Sequence, residues 1–219
     1  ILSLEYGFDS LDIDTQSFSN FVVKVSHGEN NFGAMSNHDQ KSSRQLGSGD
    51  WVGSRFDKLT MSYAHLATLS PSRSLLIRAS YQYTENPLVG LQQFAMGGMD
   101  SVRAYPVSEA TMDRGIFVSA EHIWNAPFIG DEVSPFDGRK WGQILTVSAF
   151  VDFAEGDKID PLENEEKYAN FKGWGVGSQL AVPGSFTTKM TAAWPFMVSS
   201  NPTNKRKPQV FLSLEADVY

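Results

Sequence analysis

The sequence predicts an all-β protein, a transmembrane antiparallel β-barrel, on three observations. Apolar and polar residues alternate with period two along most of the chain, and helical periodicity is nearly absent. The alternating runs are mostly about 9 to 12 residues long, which suits a tilted strand crossing a bilayer and exceeds the usual strand of a soluble sandwich. The polar side of these runs carries Lys, Arg, Glu, Gln and Ser, which a dry sandwich core would leave unpaired and a water-filled lumen would not. Composition narrows the field further. The 219 residues include no cysteine, so neither a disulfide framework nor a thiolate metal site is available. Hydrophobic residues at 41% and charged residues at 20% are too balanced for a disordered chain and too polar for a helical membrane protein. A net charge of -7 and a pI near 5.1 argue against a nucleic-acid partner, which requires a basic face.

The elements follow in order. The opening run places Leu2, Leu4, Tyr6 and Phe8 on one side. In Phe21 to His27, Phe21, Val23 and Val25 oppose Lys24 and Ser26. From Lys58 to His65, Leu59, Met61 and Tyr63 oppose Lys58, Thr60, Ser62 and Ala64. From Leu75 to Tyr83, Ile77, Ala79, Tyr81 and Tyr83 oppose Arg78, Ser80 and Gln82. Similar runs at 115–125, 143–153, 172–182, 187–197 and 208–218 bring the expected strands to nine. Tyr81, Tyr83, Trp124, Phe153, Trp174, Trp194 and Phe196 lie near strand ends, as an interfacial aromatic girdle would. Tight turns are expected at Leu69 to Arg73 and Pro183 to Ser185. Long polar connections are expected at 28–55, 84–114, 154–170 and 198–208, giving one rim of short turns and one of long loops. An open nine-stranded sheet would leave two unpaired edges in lipid, and Ile1 falls inside the first run. Residues 1–219 are therefore expected to be the C-terminal part of a larger barrel.

The 84–114 connection is too organised to be filler, with Phe94, Val102 and Tyr105 beside paired glycines and a single arginine. Read on its residues alone, it is either a functional loop or an ordered surface loop with an incidental arginine. Its run Phe94-Ala95-Met96-Gly97-Gly98-Met99-Asp100-Ser101-Val102-Arg103-Ala104-Tyr105-Pro106, followed by Asp113, Gly115 and Glu121, resembles the sixth extracellular loop and next strand of two-partner secretion transporters. These are the hemolysin activator and filamentous hemagglutinin transporter proteins, within the superfamily that includes the outer-membrane insertases. The resemblance implies a sixteen-stranded barrel with this loop between strands eleven and twelve, so the chain would supply strands eight to sixteen. It also implies that an N-terminal plug helix, POTRA domains and the first strands lie outside this chain.

In such a barrel Gly97, Gly98, Ser101, Val102, Arg103, Ala104, Tyr105 and Pro106 would form a loop folded into the lumen. A cation there requires acceptors on inward-facing positions. Glu121 shares parity with Ser119, and Asp152 shares parity with Phe150, Ser148 and Thr146, so both carboxylates read as lumenal. The resemblance implies that Arg103 pairs with Asp152, in a Phe-x-Asp-x-Gly-like element where Phe150 is present and Ala154 replaces the glycine, near Glu121. The bland alternative is that Glu121 and Asp152 are two of many lumenal polar residues. Met112 stands where the family usually has glycine, and Tyr219 falls one residue off the expected C-terminal aromatic position.

Other constellations carry less. His27, His38, His65 and His122 are scattered with no pair at metal-ligand spacing, and His65 and His122 fall on lipid-facing parity near strand ends, with no serine nucleophile motif beside them. Gly97-Gly98 is too little for a phosphate loop. The acidic stretch Asp157 to Glu166 reads as a solvated loop rather than a calcium site, and Lys205-Arg206-Lys207 as loop charge. Gly173, Gly175 and Gly177 share one face, which would let a bulky element approach or would reflect ordinary packing. The function expected from the resemblance is a pore in the Gram-negative outer membrane that exports a large exoprotein, with no bond chemistry, cofactor or metal. Its partners would be the unfolded exoprotein, outer-membrane lipid and, during biogenesis, the barrel-assembly machinery. The alternatives are an insertase, a plain porin-like channel or a soluble β-rich module.

Overall fold

The computed structural model describes residues 1–29, 44–136, 138–198 and 207–216. In chain order the strands are β1 (Leu2–Asp12), β2 (Ser17–Gly28), β3 (Phe56–Ser70), β4 (Arg73–Thr84), β5 (Phe94–Met96), β6 (Ala110–Met112), β7 (Arg114–Asn125), β8 (Leu145–Asp157), β9 (Tyr168–Val182), β10 (Phe186–Val198) and β11 (Gln209–Ala216). Nine of them form a single antiparallel sheet in the order β1-β2-β3-β4-β7-β8-β9-β10-β11, while β5 and β6 pair only with each other.

Every neighbour in this sheet is also the next sheet strand in sequence, so the register of each pair follows from the connection between them. One row of partners runs Asp9, Asn20, Ala64, Arg78, Ser119, Asp152 and Gly173. A second row, two positions along, runs Leu76, Glu121, Phe150, Gly175 and Ala193. Because side chains alternate, both rows project from the same face of the sheet. The opposite face is apolar and open, with Trp174, Val176 and Val151 exposed and Trp174 stacked on Trp194 at 5.0 Å between centroids.

The structure corrects the sequence reading in several places. The nine sheet strands span 8 to 15 residues, so β3 reaches Ser70 and places His65 well inside the strand, where its Nδ1 meets the Ser19 hydroxyl at 2.8 Å. Pairing of β8 with β9 continues to Asp157 and Tyr168, which shortens the expected 154–170 connection. The physical reason is packing: Ala154 and Ala169 are fully buried on the loop-bearing face and prolong the ladder. The rims also do not separate cleanly into short and long. The connection 126–144 is long, yet it lies at the end of the tight turns. It holds its shape through the Gly142 amide donating to the Gly130 carbonyl at 3.0 Å and through Phe136, which packs edge-on against Trp141 and Phe186. The expected C-terminal aromatic Tyr219, the loop cations Lys205 and Arg206, and His38 lie outside the described residues.

The core is not between two sheets. It is a cluster joining the loop residues Met96, Val102, Ala104, Tyr105 and Met112 to Phe117, Phe150, Ala154, Ala169, Phe171 and Ala193 on the sheet. The face expected to be polar and wet therefore carries an apolar cluster where the 84–114 connection lies on it, beside the polar Ser119, Glu121 and Asp152.

Candidate functional site

The site is built on a short hairpin. β5 and β6 pair Phe94 with Met112 and Met96 with Ala110, lifting the connection off the rim as a ribbon. The Phe94 ring rests where Gly115 lacks a side chain, and any Cβ at that position would overlap it. Beyond β5, Gly97 and Gly98 adopt φ of 94° and 93°, in the left-handed region open to glycine. The Gly98 amide then donates to the Tyr105 carbonyl at 3.0 Å, and the Tyr105 amide to the Val102 carbonyl at 3.1 Å. These bonds close a compact tip, with Pro106 leading back toward β6.

The tip lies flat on the sheet. Val102, Ala104 and Tyr105 are buried, and Tyr105 stacks on Phe171 with centroids 4.3 Å apart. Ala104 sits over Gly173, where a methyl group on the strand would collide with its own. That contact accounts for one of the three inward glycines of β9. Gly175 instead makes room for the Phe150 ring, and Gly177 for the Ser148 hydroxyl.

Arg103 is enclosed by this arrangement, with its side chain 5% exposed. Its amide, Nε and Nη2 donate to the two oxygens of Asp152 at 3.0, 2.9 and 2.9 Å. Nη1 donates to Glu121 Oε2 at 2.6 Å, and Nη2 also reaches the Ser119 hydroxyl at 3.1 Å. The guanidinium carbon lies 3.3 Å from the centre of the Phe150 ring. Every guanidinium nitrogen has an acceptor and the cation has two carboxylates, which is the condition for keeping such a group out of water. A planar fork fits this constellation and an ammonium would not. On the same partner row, Arg78 stacks over Phe117 at 5.8 Å, and its Nε is buried without a hydrogen-bond partner.

The structure thus brings Arg103, Glu121, Phe150 and Asp152 together, with Gly97, Gly98, Val102, Ala104, Tyr105 and Pro106 shaping the loop that carries the arginine. Ser101 is buried beside them and its hydroxyl has no partner. Met112, in place of the usual glycine, is buried in β6, and Ala154 packs in the core cluster.

Sequence reasoning missed two contributors. Ser119 was legible in principle, because it shares parity with Glu121. The other is a second buried ion pair, Arg44 with Asp113, at 2.8 Å. Arg44 sits in a polar connection without periodicity, so nothing local marked it. Among the described residues no group of three His, Asp or Glu side chains could hold a metal ion.

Comparisons with known proteins give a consistent placement. Among solved structures, CdiB from Escherichia coli matches with a TM-score of 0.65 at 18% identity, over 97% of this chain and 35% of that one. CdiB from Acinetobacter baumannii matches with a TM-score of 0.64 at 15% identity, over 98% of this chain and 33% of that one. At these identities the likeness is one of fold, and the chain spans about a third of the length of each relative. No curated protein sequence matches it significantly. The sequence profile of the haemolysin secretion/activation proteins ShlB/FhaC/HecB matches residues 1–149, more than half of the chain. The chain belongs to the haemolysin secretion/activation protein ShlB/FhaC/HecB family.

Proposed function

We propose that this chain is the C-terminal part of a sixteen-stranded barrel in the Gram-negative outer membrane that exports a large exoprotein through its lumen. In this reading residues 1–219 supply the last nine strands, with a plug helix, POTRA domains and the first strands N-terminal to them. The partners are the exoprotein, unfolded in transit, the surrounding lipid and the machinery that assembles barrels. No bond is made or broken, so the work of the protein is to offer a path and to control it.

The observation that carries the reading is the burial of Arg103 against Asp152 and Glu121 on the loop-bearing face. That face is then the lumen wall, and the loop occupies part of the cross-section that an exported chain would need. Asp152, with its side chain 0% exposed, is tolerable only while a cation covers it, so the loop is held in one defined position rather than drifting. Arg103 acts as a clamp that defines the resting pore.

The test is Arg103→Ala in the intact transporter, expressed with its own exoprotein. Export should fall and single-channel conductance in planar bilayers should change, while the barrel keeps its heat-modifiable folded form. Wild-type export and conductance in a folded variant would reject the clamp.

A further inference from the structure

We infer that residues 44–56 form a strap across the outer mouth of the barrel, latched by Arg44 onto Asp113, and that this latch holds the resting pore shut independently of Arg103. The inference rests on the reading of the barrel as an export pore.

Asp113 lies at the base of the inward loop, just before β7, and is fully buried. Its carboxylate gathers three separate connections. Arg44 Nη1 donates to both of its oxygens at 2.8 and 2.9 Å. The Leu88 amide and Gln93 Nε2 donate to Oδ1 at 3.0 Å each, and the Ile159 amide to Oδ2 at 2.8 Å. Arg44 in turn donates from Nη2 to the Ile159 carbonyl at 2.9 Å and from Nη1 to the Leu88 carbonyl at 3.3 Å. One ion pair therefore ties the β2–β3, β4–β7 and β8–β9 connections into a single knot.

The strap also closes directly on the β8–β9 connection. The Gly47 amide donates to the Asp160 carbonyl at 3.0 Å, and the Ser48 amide to Asp160 Oδ2 at 3.2 Å. The fit is tight, since a Cβ on Gly47 would lie 2.5 Å from the Pro161 carbonyl oxygen. Within the strap Leu46, Val52 and Phe56 are buried. In the sheet, β3 and β8 are separated by β4 and β7, three strand spacings or about 14 Å. The strap bridges that gap above the connection that folds inward from between β4 and β7.

This geometry gives the inward loop two anchors. Its tip is held by Arg103, and its base by Asp113 beneath the strap. A buried ion pair adds little net stability but is costly to half-break, so it favours two distinct states over a continuum. Freeing the loop toward the outside requires the strap to swing away, which breaks the Arg44 contacts.

The test is Arg44→Gln in the intact transporter, recorded in planar bilayers in potassium chloride, with folding checked by heat-modifiable migration. Channel opening should rise at least about fivefold over wild type. Asp160→Gly removes the side-chain half of the second tie, the bond from the Ser48 amide, suits the positive φ of 47° at that residue, and should shift opening in the same direction by less. If Arg44→Gln does not fold, Asp160→Gly decides alone. Folded variants that open as rarely as wild type would overturn the latch. A wild-type barrel that gates but exports no partner would instead overturn the export reading, while leaving the comparison of opening rates intact.

Discussion

Replacing Gly173 by alanine tests the seat of the inward loop without touching a charge. Gly173 pairs with Asp152 across the β8–β9 ladder, and Ala104, which lies over it, directly follows Arg103. Two methyl carbons need about 3.8 Å between them. A methyl on Gly173 would fall far inside that distance from the Ala104 methyl, so the loop must lift by more than about 1 Å. The Trp194 carbonyl at 3.3 Å and Val102 Cγ1 at 3.5 Å block a sideways escape. A displacement of that size one residue from Arg103 takes its bonds of 2.6 to 3.1 Å beyond hydrogen-bonding range. Overpacking of this kind costs about 1–3 kcal/mol, equivalent to roughly a 5- to 150-fold change in the ratio of seated to unseated loop. Export of the exoprotein and single-channel recordings would read that change. The double variant Gly173→Ala with Ala104→Gly moves the methyl group from loop to wall and should recover both. Wild-type behaviour in Gly173→Ala, or a folded double variant that fails to recover, would refute the argument that steric fit at this glycine seats the loop.

Two further outcomes separate the forces at work. Asp152→Asn leaves Arg103 short of a buried counter-charge and should lower the barrel's unfolding free energy in detergent by about 3–5 kcal/mol, whereas Phe150→Leu removes only the ring beneath the guanidinium and should cost no more than about 2 kcal/mol; the reverse ranking would show that the ring rather than the carboxylate anchors the loop. In the β8–β9 connection, burial works against ionised Glu165, but the Leu162 amide and the Lys158 ammonium, each at 3.1 Å, outweigh it and hold the carboxyl below its ordinary value of 4.5. A depressed carboxyl stabilises the connection above that ordinary value and loses the contribution as pH falls through the lower folded one. The protection factor of the Leu162 amide, its exchange rate relative to the intrinsic rate at the same pH, should accordingly fall in acid for wild type and much less for Glu165→Gln, and identical profiles would contradict the assignment.

The antiparallel sheet was legible because period-two alternation is a local property. A buried or lipid-facing side must be apolar and a wet side need not be, so Ile77, Ala79 and Tyr81 against Arg78, Ser80 and Gln82 mark a strand before any partner is known. Parity also carried Glu121, Phe150 and Asp152 to one face, since a strand cannot turn one side chain without turning its neighbours. Strand ends were less legible. Ala154 and Gly156 carry no alternation signal, and they extend β8 only because the inward loop packs upon them.

What the chain determines by itself is which residues face which side, and where glycine permits a tip such as Gly97-Gly98. What only the tertiary structure decides is depth and partnership. Parity is blind to register, so it cannot say that Asp152 lies level with Ser119 and Gly173 beneath the loop. It is equally blind to a contact such as Arg44 with Asp113, in which the two residues stand 69 positions apart and neither belongs to a strand. Such pairs exist only once the sheet has brought distant connections to the same rim, because the energy that joins them depends on burial, and burial is a property of the assembled whole.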